Sequence, residues 1–481
     1  MPESLRQKGA RGVLLVALLK VLGTIIGRVS QLVMPLFLLP SDFGLFALAV
    51  FFSGFLALAA EFGMSTDLVR RKKEFEEAAD TAFTLRLALS ITLVVVSVAV
   101  GWTMSIVYGE PRLSLPIMVL SLGLLFQSIS MVPRMIATRA LDFRRAAVPD
   151  SLGKFSTAFI SIGLAIVGFA YWSPVYGTIA GAAIGAALQL AGSSWRPKLR
   201  FNPRLASEIA RFGKFVTLSA IANFVAHSID NAIVGLLLGF APLGFYVVAY
   251  SWGVYFTSNL SSVFSSVAYP VMSEVSEQPE RFRKVLTENI RFYAYVAFLL
   301  SVGVLVFAPT FVASLYGSEW QPAILPMQIL APVGLVLGFA GIAADALFAG
   351  GRSKTVSVFS WMETGIAVAA VPVATWYGGL AGASLAVLLG AAGLLIALVV
   401  VLGRETGIRG VDWLRATRHP LAGALVAGTA GIVMTRLLPP SLPAFFLGVG
   451  TFTALYVATL QGLSHGQFIR ELRTLVRLAM S

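Results

Sequence analysis

The sequence predicts an all-α polytopic membrane protein of about 14 transmembrane helices, in two six-helix pseudo-symmetric lobes followed by two C-terminal helices. Three observations predict it. Of 481 residues, 57% are hydrophobic and only 12% charged, with a mean hydropathy of +0.84, a balance that soluble domains do not reach. Apolar residues come in long runs rather than in alternation, which excludes an outer-membrane-type barrel. Short patterns recur at an offset of about 200 residues, as in chains built by duplication.

The first span, 12–39, is an almost unbroken apolar run, long enough for a bilayer core that needs about 20 such residues. Two internal charges and the lack of a small-x-small cleavage site argue against a cleavable signal peptide. Those charges are Lys20 and Arg28. Measured from Arg11 at 1.5 Å per residue, they lie roughly 14 Å and roughly 26 Å into the helix. Lys20 is able to snorkel back towards the helix start. A guanidinium as deep as Arg28 costs at least about 2.5–3.5 kcal/mol in hydrocarbon, so it should face protein, water or an anion. Two readings stand: a buried ion pair, or a cation lining a polar cavity for an acidic substrate.

The next spans are expected at 43–64, with Glu61 near its cytoplasmic end, and at 82–107, with Arg86 one turn inside. They are followed by 113–133, 151–171 and 174–193, the last carrying small residues at helix-packing spacing. The span 209–239 places Asp230 near mid-membrane, with Asn231 beside it and His227 on the same helical face. Then come 243–268, 291–316, 322–345 with Asp345 at its inner end, 355–376 with Glu363, 380–402, 418–438 and 443–463.

Alternate loops differ in charge. One side carries clusters such as Arg70–Lys73, Arg144 with Arg145, and Arg196 to Arg204, whereas the other carries only Arg112 and Arg436. The positive-inside rule therefore places both termini in the cytoplasm. The same asymmetry accounts for the net charge of +13 as a topology signal, with anionic lipid a secondary contact, so nucleic acid is not an expected partner. All outward loops are short turns, at 40–42, 108–112, 171–174, 239–242, 317–321, 377–379 and 439–443, and leave no room for a soluble catalytic module. The chain has no cysteine and its three histidines, His227, His419 and His465, are far apart. No metal or cofactor is expected, and no GxxxxGK[ST] phosphate loop is present.

Three pairs carry the repeat. Asp42-Phe-Gly-Leu-Phe-Ala-Leu-Ala49 answers Pro242-Leu-Gly-Phe-Tyr-Val-Val-Ala249, with Gly44 opposite Gly244. Tyr176-Gly-Thr-Ile-Ala-Gly-Ala182 answers Tyr377-Gly-Gly-Leu-Ala-Gly-Ala383, and Val107-Tyr-Gly109 answers Leu315-Tyr-Gly317. Six spans per repeat give both halves the same orientation, related by a pseudo-two-fold axis along the membrane normal, an arrangement typical of transporters with a midplane site. The expected divisions are 1–195 for the N-terminal lobe, 196–410 for the C-terminal lobe, and 411–481 for two extra spans and a cytoplasmic tail.

Several stretches together resemble a known family. They are Leu39-Pro-Ser-Asp-Phe-Gly-Leu-Phe-Ala47; Phe62-Gly-Met-Ser-Thr-Asp-Leu-Val-Arg-Arg-Lys-Lys73; Arg139-Ala-Leu-Asp-Phe-Arg-Arg145; and Phe212-Gly-Lys-Phe with Ile229-Asp-Asn-Ala-Ile-Val-Gly235. Over about residues 5–410 the chain resembles the polysaccharide transporter branch of the multidrug/oligosaccharidyl-lipid/polysaccharide flippases, which includes O-antigen and colanic-acid exporters. One departure stands out: the family's Ala-Arg-x-Leu at the end of the first span is replaced by Met34-Pro-Leu-Phe-Leu, so that arginine is missing.

The resemblance implies a flippase that carries an undecaprenyl-pyrophosphate-linked oligosaccharide across the bacterial inner membrane for polysaccharide biosynthesis. It is not an enzyme, and its partners include a polysaccharide polymerase and chain-length machinery. Such a cargo needs cations for its phosphates and a wet path for its sugar. Lys20, Arg28 and Arg86 are the candidate cavity cations, and Arg134 and Lys154 flank the cytoplasmic mouth. Asp230, Glu363 and Glu61 are candidates for cation coupling, since a buried carboxyl titrates in a useful range. For Glu61, pairing with Arg86 is the competing reading, and for Asp230 a structural His–Asp pair. Gln31, Gln127, Asn223, Asn259, Tyr250, Trp252 and Tyr255 are candidates for sugar contact or for ordinary interhelical packing. The rival functions are a lipid II flippase, drug export, and a membrane-embedded polymerase or glycosyltransferase.

Overall fold

The computed structural model describes residues 22–23, 26–27, 29–71, 73–140 and 142–464, and its regular structure there is helical. Lys20, Arg28 and His465 lie outside the described residues. Packing divides the chain into two compact units, Met1–Gly244 and Phe245–Ser481.

In the first unit, the helix ending the first span tightens into a 3-10 turn at Met34–Leu36 and gives way to α1, Pro40–Glu61. Pro40 stands at the first helical position, where its missing N–H is no loss. The turn expected at 40–42 is therefore already the first turn of α1. Phe62 (φ 43°) and Gly63 (φ 65°) adopt left-handed backbone, and the chain breaks there into the short α2, Met64–Arg70. A long α3, Phe75–Val107, follows. The span expected at 113–133 falls within one apolar helical stretch, Pro111–Arg139, in which α4 (Ser114–Ser121) and α5 (Gly123–Arg139) join at Leu122, whose backbone stays helical. Next come α6, Phe143–Ile166, and α7, Trp172–Ala191.

With 36 residues, α8 (Pro203–Leu238) is longer than a bilayer requires, and Asn202 caps its start by accepting from the Arg204 and Leu205 amides. Its N-terminal end is latched by Arg204 to Glu74 (3.0 Å), by Arg71 to Glu208 (3.1 Å), and by Asn202 to Glu77 (2.8 Å). Trp195 donates to Asp80 at 3.0 Å just before it. Exposed pairs of this kind contribute under about 1 kcal/mol each, so the latch fixes the register of α8 while the apolar cluster of Met64, Leu68, Phe83, Val132, Leu205 and Ile209 supplies the stability.

In the turn after α3, Glu110 accepts from Arg112 at 2.9 and 2.8 Å, and the guanidinium holds its carboxyl below the usual glutamate range. Because the folded-state pKa is depressed, this contribution is present above the ordinary glutamate value and fades as pH falls through the folded one. Half of Arg112 is exposed, so Glu110→Gln is expected to cost less than about 1 kcal/mol at neutral pH. Thermal unfolding should show that small loss at pH 7 and none in strong acid.

The second unit starts within α9, Phe240–Tyr250, which runs through a π turn at Ser251–Tyr255 into α10, Phe256–Glu274. Then follow α11 (Pro279–Leu315) and α12 (Ile324–Ala349). In its core the Tyr293 hydroxyl donates to Gly334 O at 3.0 Å and its ring meets Phe339 edge-on at 5.0 Å. Helix α13, Ser353–Thr406, has 54 residues and bends at Gly379 (φ 56°, ψ −142°), the place where the sequence separates two spans. Helices α14 (Gly410–Leu437) and α15 (Leu442–Leu463) pack on α11 around Phe307, Phe452 and Tyr456, whose hydroxyl donates to Tyr295 O at 2.8 Å. Among the described residues, ten helical stretches are long and apolar enough to cross a membrane; α4 and α5 together make one of them, and bent α13 enters that number once.

Candidate functional site

Arg86 is carried on α3 and is 5% exposed. One turn further along, Ser90 and Ser128 share a hydrogen bond of 2.8 Å that clamps α3 to α5. Glu61, the last residue of α1, lies 3.9 Å from the Arg86 guanidinium. That separation is a charge–charge contact and not a hydrogen bond. The Glu61 carboxylate is already engaged: Oε2 accepts from the Gly63 amide at 2.7 Å and Oε1 from the Ser65 amide at 3.0 Å, which caps the start of α2. Arg86 Nε is buried and has no hydrogen-bond partner.

Arg134, on α5, lies within electrostatic reach of Arg86. It is held by Asp150 at 2.7 Å, and its Nε too is buried without a partner. Two guanidiniums thus stand near each other, each with an unused N–H. Like charges at close range repel, and an anion between them would relieve both. From sequence, Arg134 reads as a marker of the cytoplasmic mouth. Its nearness to Arg86 is set by the antiparallel packing of α3 and α5, which no local pattern reveals.

Among the other sequence candidates, Glu61 and Arg86 are brought together, whereas Lys20 and Arg28 lie outside the described residues. Asp230, on α8, is buried at 7% exposure, and its Oδ1 accepts from the Asn231 amide at 2.9 Å. The side chain of His227 lies outside the described residues. Glu363 is half-buried on α13, beside the exposed Met362. Asp345, on α12, accepts from Ser265, and its Oδ2 is buried without a partner. Trp252 packs against Phe311 of α11 (5.0 Å), an interhelical contact, whereas Tyr250 lies 5.9 Å from Tyr246 one turn away on the same helix. Gln31 and Gln127 are exposed amides on apolar helices, and the side chains of Tyr255 and Asn259 lie outside the described residues.

The profile of a family described as polysaccharide biosynthesis protein matches residues 33–325. The lipopolysaccharide biosynthesis protein WzxC of Escherichia coli (strain K12) is 22% identical over 394 residues, covering 80% of this chain and 79% of that protein. The succinoglycan biosynthesis transport protein ExoT of Rhizobium meliloti (strain 1021) is 23% identical over 292 residues, covering 61% of this chain and 59% of its own. Among solved structures, lipid II flippase MurJ in an inward closed conformation superposes with a TM-score of 0.76 over 95% of this chain and 99% of its own, at 12% identity. At that identity the likeness speaks for the fold alone.

Proposed function

We propose, from the premise that this chain belongs to the polysaccharide biosynthesis protein family, that it is a flippase for undecaprenyl-pyrophosphate-linked oligosaccharide. It moves that cargo from the cytoplasmic to the outer leaflet of a bacterial inner membrane by alternating access, with both termini in the cytoplasm. A polysaccharide polymerase and chain-length machinery take the cargo on the far side. The match over residues 33–325 carries this reading.

The chemistry of the first unit suits it. Carrying a diphosphate through about 30 Å of hydrocarbon requires desolvated cations along the path. Arg86, with its free Nε and a carboxylate that is otherwise engaged, is such a cation, and Arg134 is a second at the cytoplasmic approach. Lys20 and Arg28 complete the proposed set. Deletion in the parent cell tests the reading. Surface polysaccharide should be lost and the lipid-linked oligosaccharide should accumulate, with peptidoglycan synthesis intact. Accumulated lipid II with normal surface polysaccharide would instead assign the cargo to the rival flippase.

Cation coupling is assigned first to Asp230, the most buried of the three candidate carboxyls, then to Glu363 and Glu61. Asp230→Asn keeps an acceptor for the Asn231 amide while removing the titrating charge, so folding should be preserved. Export should fall at least about tenfold, the worth of some 1.4 kcal/mol, and lose its dependence on pH or sodium. Unchanged dependence in a transport assay would refute coupling through this residue.

A further inference from the structure

Residues that answer each other across the sequence repeat also meet in space. Gly44 on α1 corresponds to Gly244 on α9, and Pro40 to Phe240. A Cβ on Gly44 would collide with the carbonyl oxygen of Phe240 and stand 2.8 Å from its carbonyl carbon. A Cβ on Gly244 would collide with the carbonyl oxygen of Pro40 and stand 2.7 Å from its carbonyl carbon. Such a reciprocal contact, i on j and j on i, is what a two-fold relation between equivalent segments produces. Both glycines lie near the starts of helices that begin at the end opposite the basic loops, the end that the positive-inside rule assigns to the outer side.

One layer deeper, Gly235 of α8 faces Leu48 of α1. A Cβ there would lie 2.8 Å from Leu48 Cδ1 and 3.1 Å from Leu243 Cδ2. Leu48 and Leu243 are fully buried. Backbone rests on backbone in the outer layer, and aliphatic side chains fill the inner one. Neither layer is held by charge, so the two sides part without stranding an ion in the membrane.

We propose that this reciprocal glycine contact, with the Leu48–Gly235–Leu243 layer beneath it, is the outer gate of the transport path. The outer half of α1 separates from the α8–α9 corner to release cargo and closes again on the paired glycines. This rests on the transporter reading above and adds the element that seals it. The glycines are needed because only a residue without Cβ lets the two helix starts close to backbone contact.

The absence of cysteine from the chain makes the test clean. Leu48→Cys serves as a reporter, treated from outside with a membrane-impermeant maleimide. In the otherwise parental chain, labelling should be slow. Adding Gly44→Ala, or Gly244→Ala, should speed it at least about fivefold and lower export by a similar factor, since overpacking of this kind shifts a two-state balance by that order. Gly163→Ala, where a Cβ meets nothing within 4 Å, should change neither. If the glycine variants fail to fold, the pair Leu48→Cys with Gly235→Cys still decides: oxidation should stop export and a reductant should restore it. Unchanged labelling in both glycine variants, or parental export by the crosslinked pair, overturns the gate. Labelling and crosslinking report motion whatever the cargo, so expected labelling with transport of another lipid would refute only the cargo.

Discussion

Arg86→Gln is expected to lower export at least about tenfold while the protein reaches the membrane in parental amount. The geometry separates this outcome from the loss of a structural ion pair. Removing one member of a buried pair normally costs about 3–5 kcal/mol because it strands the other charge. Here the remaining charge would be Glu61, which accepts two backbone amides at the start of α2 and has 32% of its side chain exposed. It is not stranded, and thermal stability should fall by no more than about 1 kcal/mol. If Arg86 binds the diphosphate, the double variant Arg86→Gln with Glu61→Gln stays inactive. If Arg86 only balances Glu61, the double variant recovers export. Arg86→Lys should keep part of the activity, since it retains the charge and loses the fork of donors.

Gly181→Leu is expected to destabilise the first unit by about 3 kcal/mol or more. The α6 and α7 helices approach through small residues on both faces. A Cβ on Gly181 would lie 2.5 Å from the carbonyl oxygen of Gly153 and 3.0 Å from Thr157 Cβ, and a Cβ on Gly177 would lie 2.9 Å from the Ser161 amide nitrogen. In lipid there is no hydrophobic drive to hold helices together, so close packing carries the association. A leucine at this point forces the helices apart along their length. Thermal unfolding in detergent should show a clear fall in Tm for Gly181→Leu, and parental Tm would show that the contact contributes little.

Much of this architecture is legible in the sequence, because apolar runs and basic loops are local signals. The bend at Gly379 falls where the sequence separates two spans, and the reciprocal contact of Gly44 with Gly244 lies in one of the three repeat pairs. What escaped depends on tertiary geometry. Pro40 looks like a turn residue but starts a helix. Phe62 takes a left-handed conformation that its identity does not announce, and so creates α2 and the amides that claim Glu61. From sequence Glu61 reads equally as a partner of Arg86 or as a coupling carboxyl, and the structure adds that the pairing is a long contact with the carboxylate committed elsewhere. Arg134 joins Arg86 only once α5 packs on α3.

The most direct measurement is lipid-linked oligosaccharide translocation in vesicles containing only the purified protein. The glycan head is loaded on one leaflet, and its exposure to an impermeant glycosidase on the other is followed in time. Parental protein should expose the oligosaccharide-bearing lipid, the Arg86→Gln variant should not, and lipid II should remain where it was placed. Vesicles in which the parental protein leaves the oligosaccharide-linked lipid in its starting leaflet while lipid II crosses would contradict the account.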